Sequence, residues 1–267
     1  MCIKGIWSDP VADQHGSTLD GSSMATFLFA VATLAVQGPP VVVLGAGVIG
    51  SSIAYHLALR GVAVTLVEQH RPACAASGHS GGFLAGSWGD GTLTERLHRT
   101  SFRMHAELAE TLGVESYRSI PTLQIQSGTG DLRSSEDRPW LSGPCEQELL
   151  DDGEMTAQVD PRELTMKLLE AAQAHGATLR YGEVVGIETE ADEGKRRVTG
   201  VTVSDRDGAH SVLDCERVVT ALGPWSCKLE DWLGLPLPLE GVWSTSLVWK
   251  SEDVQQPAAL FMKQATK

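Results

Sequence analysis

Gly45, Gly47 and Gly50 stand in the run GAGVIG, and Glu68 follows at the end of a later apolar run. Residues of these types at this spacing can hold a nucleotide. The first glycine permits a tight turn, the second lets a pyrophosphate approach bare backbone, and the third lets a helix lie against a strand. The start of that helix, at Val48 and Ile49, offers unpaired N–H groups and the positive end of a dipole to phosphate. A carboxylate at position 68 can accept both hydroxyls of an adenosine ribose, and it would repel a 2′-phosphate, so NADP is disfavoured.

Such groups work only if a strand, a turn, a helix and a second strand hold them. The sequence supplies that order: VVVL from Val41, the glycine run, a helical pattern to Arg60 stopped by Gly61, and a second apolar run ending on Glu68. A bare glycine pattern is weak, whereas a preceding strand, a following helix and a terminal acid are its confirming context. The competing reading is a structural βαβ unit with an empty turn. Further on, SGHSGG spans Ser77, Gly78, His79, Ser80, Gly81 and Gly82. It reads either as a surface loop or as a backbone cradle whose serine hydroxyls and N–H groups face the rest of a dinucleotide. The apolar Phe83-Leu84-Ala85 directly after it favours a buried placement.

GAGVIGSSIAYHLALRGVAVTLVEQ followed by ASGHSGGFLA resembles the D-amino-acid-oxidase-like family of FAD-dependent oxidoreductases, which includes glycine and sarcosine oxidases. The resemblance implies FAD as cofactor, with Glu68 on the adenosine ribose and the loop of Ser77, Gly78, His79, Ser80 and Gly82 at the pyrophosphate and flavin. It sets Gln69 and Arg71 beside the adenosine, with Arg71 the looser match. Val184 falls where backbone contacts the adenine, and Gly223, in ALGPWS, where a small-residue turn nears the ADP portion. The match runs over about residues 40 to 230. It implies an α/β fold: a Rossmann-like FAD-binding domain with a parallel sheet and a β-meander, plus part of an antiparallel substrate domain.

The remaining pattern fits that order. An amphipathic helix is expected from Thr92 to Gly113, with Thr92 and Glu95 as a capping box and Leu97, Ser101, Met104, Leu108 and Leu112 as its stripe. Its His98 and His105 share no metal-ligand spacing, and no metal site is expected. Ile120 to Ile125 reads as a strand. The tract at about 127–153 is acidic and rich in Gly and Pro, so it reads as a loop or insertion, with Asp151-Asp152 a solvated turn. Asp160 and Pro161 open a second helix reaching Gly176. Strands are expected at Thr178–Tyr181, Val184–Glu190, Val198–Val203, Ser211–Asp214 and Arg217–Ala221, with turns at Glu193-Gly194 and Asp207-Gly208.

Composition excludes several classes. A formal charge of −13 opposes nucleic acid or an anionic membrane as partner and leaves a small molecule. The five cysteines have no CxxC spacing and read as reduced thiols of an intracellular compartment; a cytoplasmic protein is expected, with organelle targeting or a weak signal peptide as the open alternatives. Ala25 to Val36 is apolar but too short for a bilayer span, and the acidic segment before it is wrong for a signal peptide. The expected layout is an extension at 1–38, an FAD-binding domain at 39–230 and an incomplete substrate domain at 231–267, whose sheet would begin over Pro236 to Trp249. In the resembled family a Gly- and Pro-rich return to the FAD domain follows, so a truncated isoform or fragmentary gene model is expected.

The implied activity is oxidation of a C–N bond of an amine or amino acid, by hydride transfer to flavin, with substrate orientation doing most of the work. No catalytic side chain is assigned. His79 is a candidate for flavin contact, and a hydrogen-bonded loop histidine is the equal alternative. Two other readings stand: a catalytically silent FAD- or partner-binding protein, and an NAD-dependent dehydrogenase on the same βαβ unit.

Overall fold

The computed structural model describes residues 39–127, 145–248 and 257–263. The apolar run at 25–36 and the acidic tract's residues 128–144 lie outside these. In chain order the strands and helices begin β1 (Val41–Leu44), α1 (Val48–Ala58), β2 (Val64–Glu68), α2 (Ala76–His79), β3 (Phe83–Ala85) and α3 (Glu95–Leu112). There follow β4 (Arg118–Ser119), β5 (Thr122–Ser127), β6 (Cys145–Asp151), β7 (Thr156–Gln158), α4 (Pro161–Ala174) and β8 (Thr178–Tyr181). The last are β9 (Glu183–Asp192), β10 (Lys195–Ser204), β11 (His210–Asp214), β12 (Arg217–Thr220), a 3₁₀ segment at Gly223–Lys228, α5 (Leu229–Leu233) and β13 (Ala259–Met262).

The chain is α/β, with a parallel sheet in the order β12-β1-β2-β8. β1 is apolar at every position because both of its faces are covered, as in parallel sheets generally. Val41 and Val43 point into one core with Val64 and Leu66; Val42, Leu44 and Val67 point into the other. The first core is filled from α1 and α4, the second from the antiparallel meander β9-β10-β11 and from α5. Alternation along two short strands thus fixes three layers.

Local chemistry explains most boundaries. Asp160 accepts the N–H groups of Arg162 (2.8 Å) and Glu163 (3.3 Å), with Pro161 at the first helical position, so α4 starts where its cap requires. The β9–β10 turn has positive φ at both Glu193 and Gly194, as a two-residue hairpin demands.

Four expectations need correction. The strand expected at Ile120 to Ile125 is β5 and starts only at Thr122, because Pro121 has no N–H to give a ladder, and the short β4 ends before it at Ser119. The tract at 145–151 is strand β6, paired antiparallel with β5. α3 begins at Glu95 rather than Thr92. Thr94 precedes it without a side-chain cap, and Glu95 Oε2 accepts from Gly91 N–H instead (2.9 Å). Only the end of its stripe packs, through Leu108 and Leu112, while Leu97 is 64% exposed. Residues 236–248 carry no continuous strand; Pro236 and Pro238 lack the donors for one, and Trp243 is 93% exposed. β13 beyond them joins β5 in parallel, giving a sheet β13-β5-β6.

Candidate functional site

The site forms where β1 turns into α1. Gly45 has φ +99°, and a Cβ there would stand 2.6 Å from the Ala221 carbonyl oxygen, so only glycine closes this turn against the end of β12. A Cβ at Gly50 would meet Gly45 O at 1.9 Å, which is why the helix can lie down on the turn. The first turn of α1 carries no acidic residue and Gly47 makes no side-chain cap, leaving the positive end of the helix open. One donor there is taken: Val48 N–H donates to Ser77 Oγ (2.9 Å), reaching across from α2.

Glu68 is held just as specifically. Its Oε2 accepts from Ala46 N–H and its Oε1 from His70 N–H, both at 3.0 Å. The carboxylate therefore bridges the glycine turn and the strand exit, and each oxygen keeps a lone pair for a further donor.

These elements enclose a cleft of about 380 Å³. Of the residues expected from sequence, Gly45, Gly47, Ile49, Glu68, Gln69, Ser77, Val184 and Gly223 line it. Val48 contributes its N–H from behind Ser77. Arg71 lies in a neighbouring groove that shares Gln69 with the cleft. Gly50, Gly78 and Gly82 do not line the cleft; they carry close packing instead. A Cβ at Gly78 would meet Ala73 O at 1.9 Å, and one at Gly82 would meet Val159 O at 1.8 Å. Ser80 and His79 also stand outside the lining. Ser80 N–H closes α2 on Ala76 O. His79 Nε2 donates to Cys74 O (3.1 Å). His105 bonds Ser101 O within α3, and the His98 ring packs over Gly89. Among the described residues no cluster of His, Cys, Asp and Glu can hold a metal ion.

Sequence reasoning missed several lining residues. Trp225 and Ser226 belong to the ALGPWS turn, in which the resemblance points to Gly223 alone, and Cys74 to Ala76 directly precede the SGHSGG loop. Glu183 and Lys228, both in the lining, pair at 3.0 Å, and no spacing rule finds a contact between residues so far apart.

The match to the family model of the FAD-dependent oxidoreductases called DAO runs over residues 40–264, most of the chain. The chain belongs to the DAO family. Its cofactor is therefore FAD, and the NAD-dependent reading gives way. Among curated relatives, 4-methylaminobutanoate oxidase (formaldehyde-forming) of Paenarthrobacter nicotinovorans is 26% identical over 74% of this chain and 26% of its own length. Human mitochondrial dimethylglycine dehydrogenase is 24% identical over 74% of this chain and 25% of its own. The DAO chain here thus spans about a quarter of the curated relatives it matches. Among solved structures, glycine oxidase from Bacillus cereus ATCC 14579 superposes with TM-score 0.58 at 27% identity, covering 73% of this chain and 58% of that one. Glycine oxidase from Geobacillus kaustophilus, at 23% identity and TM-score 0.59, covers 74% and 59% and shares the fold.

The DAO cofactor fits what the cleft offers. Gly47 is bare where a Cβ would come within 3.0 Å of Ser77 Oγ, so backbone N–H and hydroxyl converge without a side chain between them. With Val48 N–H given to its oxygen, the Ser77 hydroxyl keeps its proton to donate to a phosphate, and the free lone pairs of Glu68 suit ribose hydroxyls. No helix among the described residues is long and apolar enough to cross a membrane.

Proposed function

We propose that the cleft binds FAD with its diphosphate on the amino end of α1 and its adenosine against Glu68, and that the protein oxidises a C–N bond of an amine or amino acid. The observation that carries this reading is the set of three hydrogen bonds that brings Ser77 Oγ to Val48 N–H and holds Glu68 across the glycine turn. Glu68 would take the ribose hydroxyls with its free lone pairs. Gly45, Gly47 and Ile49 would form the floor under the diphosphate, with Ser77 sharing Val48's donor. Gln69, Val184 and Gly223 would bound the adenosine side, and Arg71 would stand outside it. Gly50, Gly78 and Gly82 would act by positioning these groups. His79 and Ser80 would hold the loop that leads toward the flavin.

Bound FAD supplies a two-electron acceptor for the hydride on a carbon beside nitrogen, after which water hydrolyses the imine product. The named relatives support the substrate class, since they act on 4-methylaminobutanoate, dimethylglycine and glycine. A small amine or amino acid would be the partner.

The test is the visible spectrum of the purified protein, followed by anaerobic addition of glycine, dimethylglycine and 4-methylaminobutanoate. The expected result is a flavin band that one of these bleaches. A flavin band that none of them bleaches would keep the cofactor and remove these substrates. A colourless protein that takes up no FAD would remove the whole proposal.

A further inference from the structure

Beside the cofactor cleft lies a second groove of about 520 Å³, and Gln69, His70 and Glu183 line both, so the two share a wall. The groove's other residues are Arg71, Gly182, Ser204, Asp205 and Arg206. Its charges do not cancel locally. Asp205 is paired with Arg180 at 3.2 Å and Glu183 with Lys228 at 3.0 Å, so both acids face partners that are not part of the groove. Arg71 and Arg206 have no carboxylate within ion-pair distance among the described residues, and the Arg206 guanidinium sits 6.0 Å from the Tyr181 ring centroid. Two arginines without a carboxylate partner among the described residues, lining one concavity, are unexpected in a chain of net charge −13, because the general field of this protein repels anions. Planar guanidinium forks are the side-chain donors best matched to phosphate oxygens.

We infer that this groove binds a phosphorylated small molecule through Arg71 and Arg206, and that its occupancy is coupled to the nucleotide in the adjoining cleft. The diphosphate of that nucleotide has its own donors at α1, so the arginines are free for a second anion. The coupling has a physical route: Glu68, the ribose acceptor, takes the N–H of His70, and His70 is a wall of the groove directly before Arg71. An anion that draws Arg71 moves the backbone holding Glu68. The effect must then be reciprocal between the two ligands. The coupling rests on the FAD reading of the cleft, whereas anion binding itself does not.

The test is calorimetric titration of inorganic pyrophosphate, at fixed ionic strength and with FAD in excess, into wild type, Arg71→Gln, Arg206→Gln and the double variant. One saturable equivalent is expected, weakened about tenfold by each single change, the loss of one charged hydrogen-bonding partner. Melting curves of the variants show that they fold. ATP in a second arm separates the sources: tighter binding than pyrophosphate assigns a nucleotide, equal binding a free phosphate group. FAD affinity should shift when pyrophosphate saturates the wild type and stay fixed in the double variant. Saturable binding absent in excess FAD, or unchanged in the double variant, overturns the inference. Glu68→Ala keeps the two readings apart: FAD affinity unaffected by it sinks the cofactor reading, while the arginine dependence still decides the groove.

Discussion

Glu68 and Ser77 each have a structural task that coincides with the proposed binding task, and variants must be read with both in mind. Glu68→Ala removes a ribose acceptor and also releases Ala46 N–H and His70 N–H. FAD affinity, measured by fluorescence titration, should fall about 10- to 100-fold, the range for a charged hydrogen-bonding partner. Glu68→Gln keeps one acceptor oxygen and should lie between. Gly78→Ala tests a different cause. Its Cβ would collide with Ala73 O, so melting temperature should drop together with FAD affinity, whereas Ser77→Ala should cost only about 1 kcal/mol of stability, the scale of a lost helix cap. A Gly78→Ala protein as stable as wild type would mean the loop carries no such constraint. The glycines were legible in the sequence because sterics leaves no other residue for these turns. Trp225 and the Glu183–Lys228 pair were not, because only the fold makes them neighbours.

At the level of elements, β6 shows where composition misleads. Acidic residues and flanking Gly and Pro suggested a loop, yet β5 offers an unpaired edge, and a strand forms there because pairing outweighs intrinsic preference. Asp151 ends that strand and organises the next turn, accepting from Gly153 N–H (2.8 Å) and Thr156 Oγ1 (2.7 Å). Burial acts to raise its carboxyl, but the hydrogen bonds from Thr156, Gly153 and Met155 outweigh this and hold it below the usual carboxylate range. The sign follows. A carboxyl depressed on folding stabilises the native state at every pH above its unfolded value, and that stability is lost as pH falls through the folded value. Asp151→Asn should therefore melt earlier than wild type at pH 7, and the gap should narrow as pH is lowered past about 4. A gap independent of pH would show that the charge of Asp151 contributes nothing.

For the molecule as a whole, the cleft draws its walls from both sides of the parallel sheet. Gly47 and Ile49 open α1, which packs on one core, and Val184 and Trp232 belong to the other. The layering itself was legible, since two short strands of alternating partners dictate it. The parallel joining of β13 to β5 was not, because their side-chain patterns carry no mark of a partner so distant in sequence. A ligand seated between the two cores must stabilise the folded state as a unit, because it binds only when both are in place. At a free concentration about 100 times its dissociation constant, FAD should add about 2.7 kcal/mol. In a domain of this size that corresponds to a rise of about 5–10 °C in melting temperature. FMN lacks the adenosine that Glu68 and the Val184 side of the cleft would hold, so at the same concentration it should shift the melt far less. Equal shifts from FAD and FMN would place the binding energy elsewhere than on the adenosine half, and Glu68→Ala should then be silent in the same assay.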